Sequence, residues 1–248
     1  MNKTLKRILI GLGIVITILV LTAVGFGLKM KSEVKKMHVI ETKEVVQDVF
    51  AVKNSFVNMF LVKDSDNYIA IDAGADAKAI RGELKKLSID TAKVVAVFLT
   101  HGDGDHTAAL STFINAKIYL SRDEEQMING KTAKMMFMHN HIVRKDYTLV
   151  DDGQKVMISK ILITCISTPG HTPGSMSYLV NDKYLFVGDA FGLKDGKVNK
   201  PNSFFSKDMP LAIKSFQKIN KLPNAEYIFT AHAGFTADYK NAVKTELK

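Results

Sequence analysis

The chain contains one cysteine, Cys165, in 248 residues. A lone cysteine excludes an internal disulfide framework and any zinc ribbon built from cysteine pairs. It lies in "KILITCIS", whose alternation suits a strand, so Cys165 reads as a packing residue rather than a nucleophile. A basic stripe interleaved with aromatics is also missing from the body of the chain, which argues against a nucleic-acid partner. The formal charge of +9 does not change this, because residues 1 to 36 hold seven Lys or Arg against one Glu. Internal repeats and low-complexity segments are absent, which sets aside solenoids and disordered linkers. What is present, 46% hydrophobic and 24% charged residues, is enough to bury one sizeable core.

Charge and proline are both missing from Ile8 to Leu28, "ILIGLGIVITILVLTAVGFGL". At a rise of about 1.5 Å per residue this run matches the apolar thickness of a bilayer, about 30 Å. Two readings compete, an uncleaved anchor and a signal peptide cut at the small residues Ala23 and Gly25; the unbroken length favours the anchor. Lys3, Lys6 and Arg7 on one side nearly balance Lys29, Lys31, Lys35 and Lys36 on the other. The expected orientation, N-terminus inside and body outside, therefore rests on a small bias. Residues 1–36 are expected to form this anchor and a basic juxtamembrane segment, and residues 37–248 one domain. His38, beside the anchor, is expected to be exposed.

Strand-like runs are "VFAVK", "FVNMFLVK", "YIAIDAG", "VVAVFLT", "KIYLS", "KVMISKILITCIS", "SMSYLV", "KYLFVGD" and "YIFTAH". Helical spacing fits "DAKAIRGELKKL", "HTAALSTFI", "RDEEQMI" and "PLAIKSFQKINKL". Early strands come in hairpin order, and later ones alternate with helices. That order predicts an α/β (α+β) chain with two mixed sheets and helices outside.

The stretch "LTHGDGDHTAAL" sets His101, Asp103, Asp105 and His106 in a loop between a buried strand and a helix, over the carboxyl end of a sheet. Gly102 and Gly104 let the backbone turn so that the polar side chains converge. Imidazole with carboxylate suits a divalent cation such as Zn, Fe or Mn. A solvated loop capping a helix would also explain this stretch taken alone. Similar punctuation recurs, however, with His171 in "STPGHTPGS", Asp189 in "YLFVGDA" and His232 in "YIFTAHAG", each at a strand end.

The order "THGDGDH", "TPGHTPGS", "VGDA", "TAHAG", with "YIAIDAGAD" upstream, resembles the metallo-β-lactamase-fold hydrolases, nearest to the glyoxalase II type. The resemblance covers about Val45 to the C-terminus. It implies a four-layer αββα sandwich with two divalent metal ions at one edge. It further implies that His101 and His171 hold the first ion, Asp105, His106 and His232 the second, and Asp189 both. Asp72 would support the site from behind. One departure is Asp103, which stands where most members have histidine; a carboxylate there is compatible with metal and raises the odds of Fe or Mn against Zn.

The implied chemistry is hydrolysis of an ester, thioester, lactone or phosphodiester in a small molecule, with Asp105 orienting the water. Two other classes fit less of the sequence: a di-iron redox protein, for which no flavin domain is present, and a membrane-tethered metal-binding module without activity. The segment from Ser121 to Val150 holds Met135, Met136, Phe137, Met138, His139 and His141. It reads first as an amphipathic helix with core-facing methionines, and second as a lid or substrate wall.

Overall fold

The computed structural model describes residues 2–135 and 138–247, so Met136 and Phe137 lie outside the described residues. It divides into two units, residues 1–37 and 38–248. The first holds helix α1, Lys3–Val34, which Asn2 caps by accepting from the Thr4 amide. It is long and apolar enough to cross a membrane, and none of its apolar window is buried. The hydroxyls of Thr17 and Thr22 return to the carbonyls of Gly13 and Ile18, so even these polar groups are satisfied within the helix.

The second unit begins with a seven-stranded sheet in sequence order: β1 Lys43–Val46, β2 Val49–Asn54, β3 Val57–Asp64, β4 Asn67–Ile71, β5 Val94–Leu99, β6 Lys117–Ser121 and β7 Tyr147–Val150. β1 to β4 pair antiparallel, and β4 to β7 run parallel. Helix α2, Ala77–Lys86, crosses from β4 to β5; the single turns α3, Gly104–Thr107, and α4, Glu125–Ile128, follow β5 and β6. A second sheet contains β8 Lys155–Ile158, β9 Ile161–Ser167, β10 Met176–Val180 and β11 Tyr184–Phe186. A small ribbon follows, β12 Gly192–Lys194 with β13 Lys197–Asn199, and then helix α5, Met209–Ile219. β14 Tyr227–Phe229 joins the second sheet parallel to β11, β15 Phe235–Thr236 closes its edge, and α6, Tyr239–Ala242, ends the unit.

Alternation along the strands builds the layers. Phe60, Ile69, Ile71 and Phe98 of the first sheet meet Ile163, Tyr178, Phe186 and Phe229 of the second in one buried cluster. Their neighbours point outward: Met59, Leu61, Ala70 and Val97 pack on Ile80 and Leu84 of α2. On the far side, Leu179, Leu185 and Ile228 pack on Phe216 and Ile219 of α5. The result is the expected four-layer αββα sandwich. Cys165 is buried between the sheets, and burial together with Asp151 and Asp152 pushes its thiol up to about 12.

Three local expectations change. "KVMISKILITCIS" is two strands, because Ser159 takes φ 52° and turns the chain into the β8–β9 hairpin. "HTAALSTFI" makes only α3 and a 3₁₀ turn at Leu110–Thr112. Its backbone is engaged elsewhere, with the His106 carbonyl accepting from Ala73 and the Ala109 amide donating to Gly74. The segment after α4 is not a helix among the described residues; it is irregular apart from a bridge between Met135 and Met138.

Candidate metal centre

Each predicted site residue sits just beyond a strand end, on the edge where both sheets finish. His101 follows β5, and Asp105 and His106 lie in α3. His171 lies between β9 and β10, Asp189 follows β11, and His232 follows β14. The structure brings all seven residues named from the motifs into three overlapping groups: His101 with Asp103 and His171; His101 with His106 and Asp189; Asp105 with His106 and His232. Within each group one donor atom per residue lies within 4.8 Å of the others.

The histidines are aimed by their Nδ1 atoms. His106 Nδ1 is 2.8 Å from Asp72 Oδ2, and His232 Nδ1 is 2.6 Å from the Phe56 carbonyl oxygen. His101 Nδ1 lies 3.0 Å from Thr100 Oγ1, and His171 Nδ1 lies 3.3 Å from Ser206 Oγ. With Nδ1 engaged, the four Nε2 atoms turn toward one another. Asp72 is itself anchored, accepting from the Thr100 amide at 2.8 Å and its hydroxyl at 2.9 Å. Gly188, at φ 53°, brings Asp189 so close that a Cβ there would meet Thr100 Oγ1 at 2.5 Å.

Two carboxylates face the Nε2 atoms of His106 and His232. Asp189 Oδ1 is 3.3 Å from His106 Nε2 and 3.2 Å from His232 Nε2, while Asp105 Oδ2 is 3.6 Å and 3.4 Å from the same two nitrogens. A tetrahedron of ligands each about 2.1 Å from zinc has edges of roughly 3.4 Å. The buried atoms His101 Nε2, His106 Nε2, Asp189 Oδ1 and His232 Nε2 have no hydrogen-bond partner. Buried polar atoms are rarely left so, and four together fit a site shaped for a cation.

Burial opposes charge on every one of these groups, and their neighbours set the outcome. Against burial, His232, His106 and His171 hold Asp189 well below the usual carboxylate range; His101, His171 and the Lys134 ammonium do the same for Asp103. Asp105, Asp72 and Asp189 hold His106 well above the imidazole range, and Asp189 and Asp105 lift His232 to about 10. His171 goes the other way: burial and Lys134 push it down to about 4.

Three residues at the site carried no motif. Lys134 Nζ reaches Asp103 Oδ2 at 2.6 Å, and Asn140 donates to Asp103 Oδ1 at 2.6 Å. Both come from the segment expected to be helical; its alternative reading as a wall was the only signal for them. Glu124, fully buried, accepts from the Gly102 amide at 2.8 Å, the Thr172 hydroxyl at 2.7 Å and the Gly174 amide at 3.1 Å. It therefore ties the loop carrying His101 to the loop carrying His171. His38, His139 and His141 are exposed and belong to none of the three groups.

The chain is similar to several known proteins. Over 170 residues, 68% of this chain and 58% of the relative, it is 28% identical to a hydroxyacylglutathione hydrolase of Erwinia tasmaniensis. Over 124 residues, 49% of this chain and 48% of the relative, it is 30% identical to BaeB of Bacillus velezensis, described as a probable polyketide biosynthesis zinc-dependent hydrolase. The chain thus spans less than two thirds of the length of either relative. The solved Rm3 metallo-beta-lactamase has the same fold, with a TM-score of 0.63 at 20% identity over 78% of this chain and 79% of that one. Residues 52–232 match the model of the Metallo-beta-lactamase superfamily, and the chain belongs to that superfamily.

Proposed function

We propose that this protein is a metal-dependent hydrolase that uses an activated water on an ester, thioester, lactone or phosphodiester of a small molecule. The observation that carries this reading is the set of four unpartnered buried atoms on His101, His106, Asp189 and His232. Asp105, His106 and His232 with Asp189 would form one cation position, and His101, Asp103 and His171 the other. Zinc matches the name of the Bacillus velezensis relative, with Fe or Mn compatible with the carboxylate content. A divalent cation held there supplies Lewis acidity and lowers the pKa of water toward neutrality. The remaining work falls to side chains. Asp72 holds His106 Nδ1 so that Nε2 faces inward, and the Phe56 carbonyl does the same for His232. Asp105, whose carboxylate is the most open of the three, orients the water, accepts its proton and returns it to the leaving group.

The test is metal reconstitution followed by a panel of the four bond classes. Hydrolysis of at least one class, lost on chelation and restored by metal, is the expected result. Full metal occupancy with no turnover across the panel would leave only a binding module.

The reading of α1 as an anchor has its own check. Full-length protein is expected to stay in the membrane pellet after a high-salt wash, because screening does not weaken hydrophobic insertion. A soluble species beginning near Phe26 would establish cleavage instead.

A further inference from the structure

One cation position is already occupied by a side chain. Lys134 Nζ lies 2.6 Å from Asp103 Oδ2 and 2.9 Å from His171 Nε2, two of the three donors at that position. Asp103 Oδ2 is also 3.1 Å from His171 Nε2 and 3.4 Å from His101 Nε2, so the ammonium sits against the donor set itself. The placement is supported from below. Lys207 Nζ donates to the carbonyls of Ala133 and Lys134, and the Lys207 amide donates to the carbonyl of His171. Only 10% of the Lys134 side chain is exposed.

We propose that the Lys134 ammonium takes the place of one divalent cation, so that the chain holds a single tightly bound ion, at Asp105, His106, His232 and Asp189. This rests on the metal-dependent reading above and narrows it. Two physical arguments support it. An ammonium can only donate, so His171 Nε2 must accept from it, and a neutral imidazole has one in-plane lone pair at that nitrogen. The pair given to Lys134 is not available to a metal. Charge agrees with this count: the three carboxylates Asp103, Asp105 and Asp189 are balanced by one ammonium and one divalent ion, and a second divalent ion would be forced against a buried positive charge. Asp103 and His171 are satisfied by Lys134 and Asn140, whereas His106, His232 and Asp189 have atoms without partners. His101 Nε2 is also unpartnered, and it is grouped with His106 and Asp189 as well as with Asp103 and His171.

The experiment measures zinc per chain by elemental analysis, in full-length detergent-solubilised protein that has been stripped, reconstituted with excess zinc and desalted. The native protein is expected to hold one ion, and Lys134→Ala and Lys134→Met are expected to hold two, a doubling. Titration calorimetry should show a second binding phase only in the variants. Two tight ions in the native protein overturn the proposal whether or not the variants fold, and so does one ion in well-folded variants. Absence of zinc from every protein overturns the proposal together with the metal-dependent reading beneath it; two ions in the native protein leave that reading standing.

Discussion

Asp189→Ala is expected to lower hydrolysis by more than about a hundredfold, beyond the 10–100-fold typical of residues that only support metal ligands. Asp189 faces histidines on both sides of the site, which Asp105, near His106 and His232, does not. Its Oδ1 faces the unpartnered Nε2 atoms of His106 and His232, and its Oδ2 is 3.5 Å from His171 Nε2. Removing it takes one of the carboxylates facing His106 and His232 and leaves Asp105 alone at their Nε2 atoms, so their raised proton affinity falls. Bound metal should be lost along with turnover. Asp189→Asn separates shape from charge: it keeps an oxygen at nearly the same place and should retain more metal than the alanine variant while still losing most activity. Kinetics and metal content near those of the native protein in both variants would remove Asp189 from the site.

Glu124→Ala is expected to cost at least about 2 kcal/mol of stability, through the buried donors it leaves unpaired. Its carboxylate accepts from Gly102, Thr172 and Gly174, so two buried amides lose their partner at once and the Thr172 hydroxyl keeps only Ser175 Oγ. The loops cannot close over the gap easily. A Cβ at Gly174 would already meet the Glu124 backbone nitrogen at 2.0 Å, which shows how tightly the two segments are apposed. In a unit of this size 2 kcal/mol lowers the melting temperature by about 4–8 °C. Because the loops bear His101 and His171, metal affinity should drop as well. Glu124→Gln keeps one acceptor and should fall between. A melting curve and zinc affinity unchanged in the alanine variant would show that the clamp carries neither role.

The candidate metal centre was readable in the sequence because its residues are short-range features. His101 to His106, His171, Asp189 and His232 each follow an apolar strand with a glycine within two residues or inside the loop, so chain position and chemistry coincide. The two sheets were readable from element order, hairpins first and then strands alternating with helices, and the four layers followed from the resemblance; in the structure successive side chains of β4, β5 and β10 divide between the inter-sheet core and the helices. Lys134, Asn140 and Glu124 reach the site by a different route. Lys134 is one of 34 Lys and Arg residues, in a stretch whose methionines suit a helix face, and only tertiary pairing brings it to Asp103. The break in "KVMISKILITCIS" was hidden because Ser159 turns with positive φ, with neither glycine nor proline to mark it.

The donor atoms are divided between the two sheets. His101, Asp105 and His106 extend from β5 of the first, while His171, Asp189 and His232 extend from β9, β11 and β14 of the second. An ion held by both parties binds only when the sheets are docked in register, so its affinity and the docking equilibrium are thermodynamically linked. Saturation at about 100 times the dissociation constant would add about 2.7 kcal/mol to the assembled sandwich. By the same reciprocity, a mutation such as Ile163→Ala, in β9 and buried in the inter-sheet core but not itself a donor, should weaken zinc binding, and titration of that variant would measure the exchange.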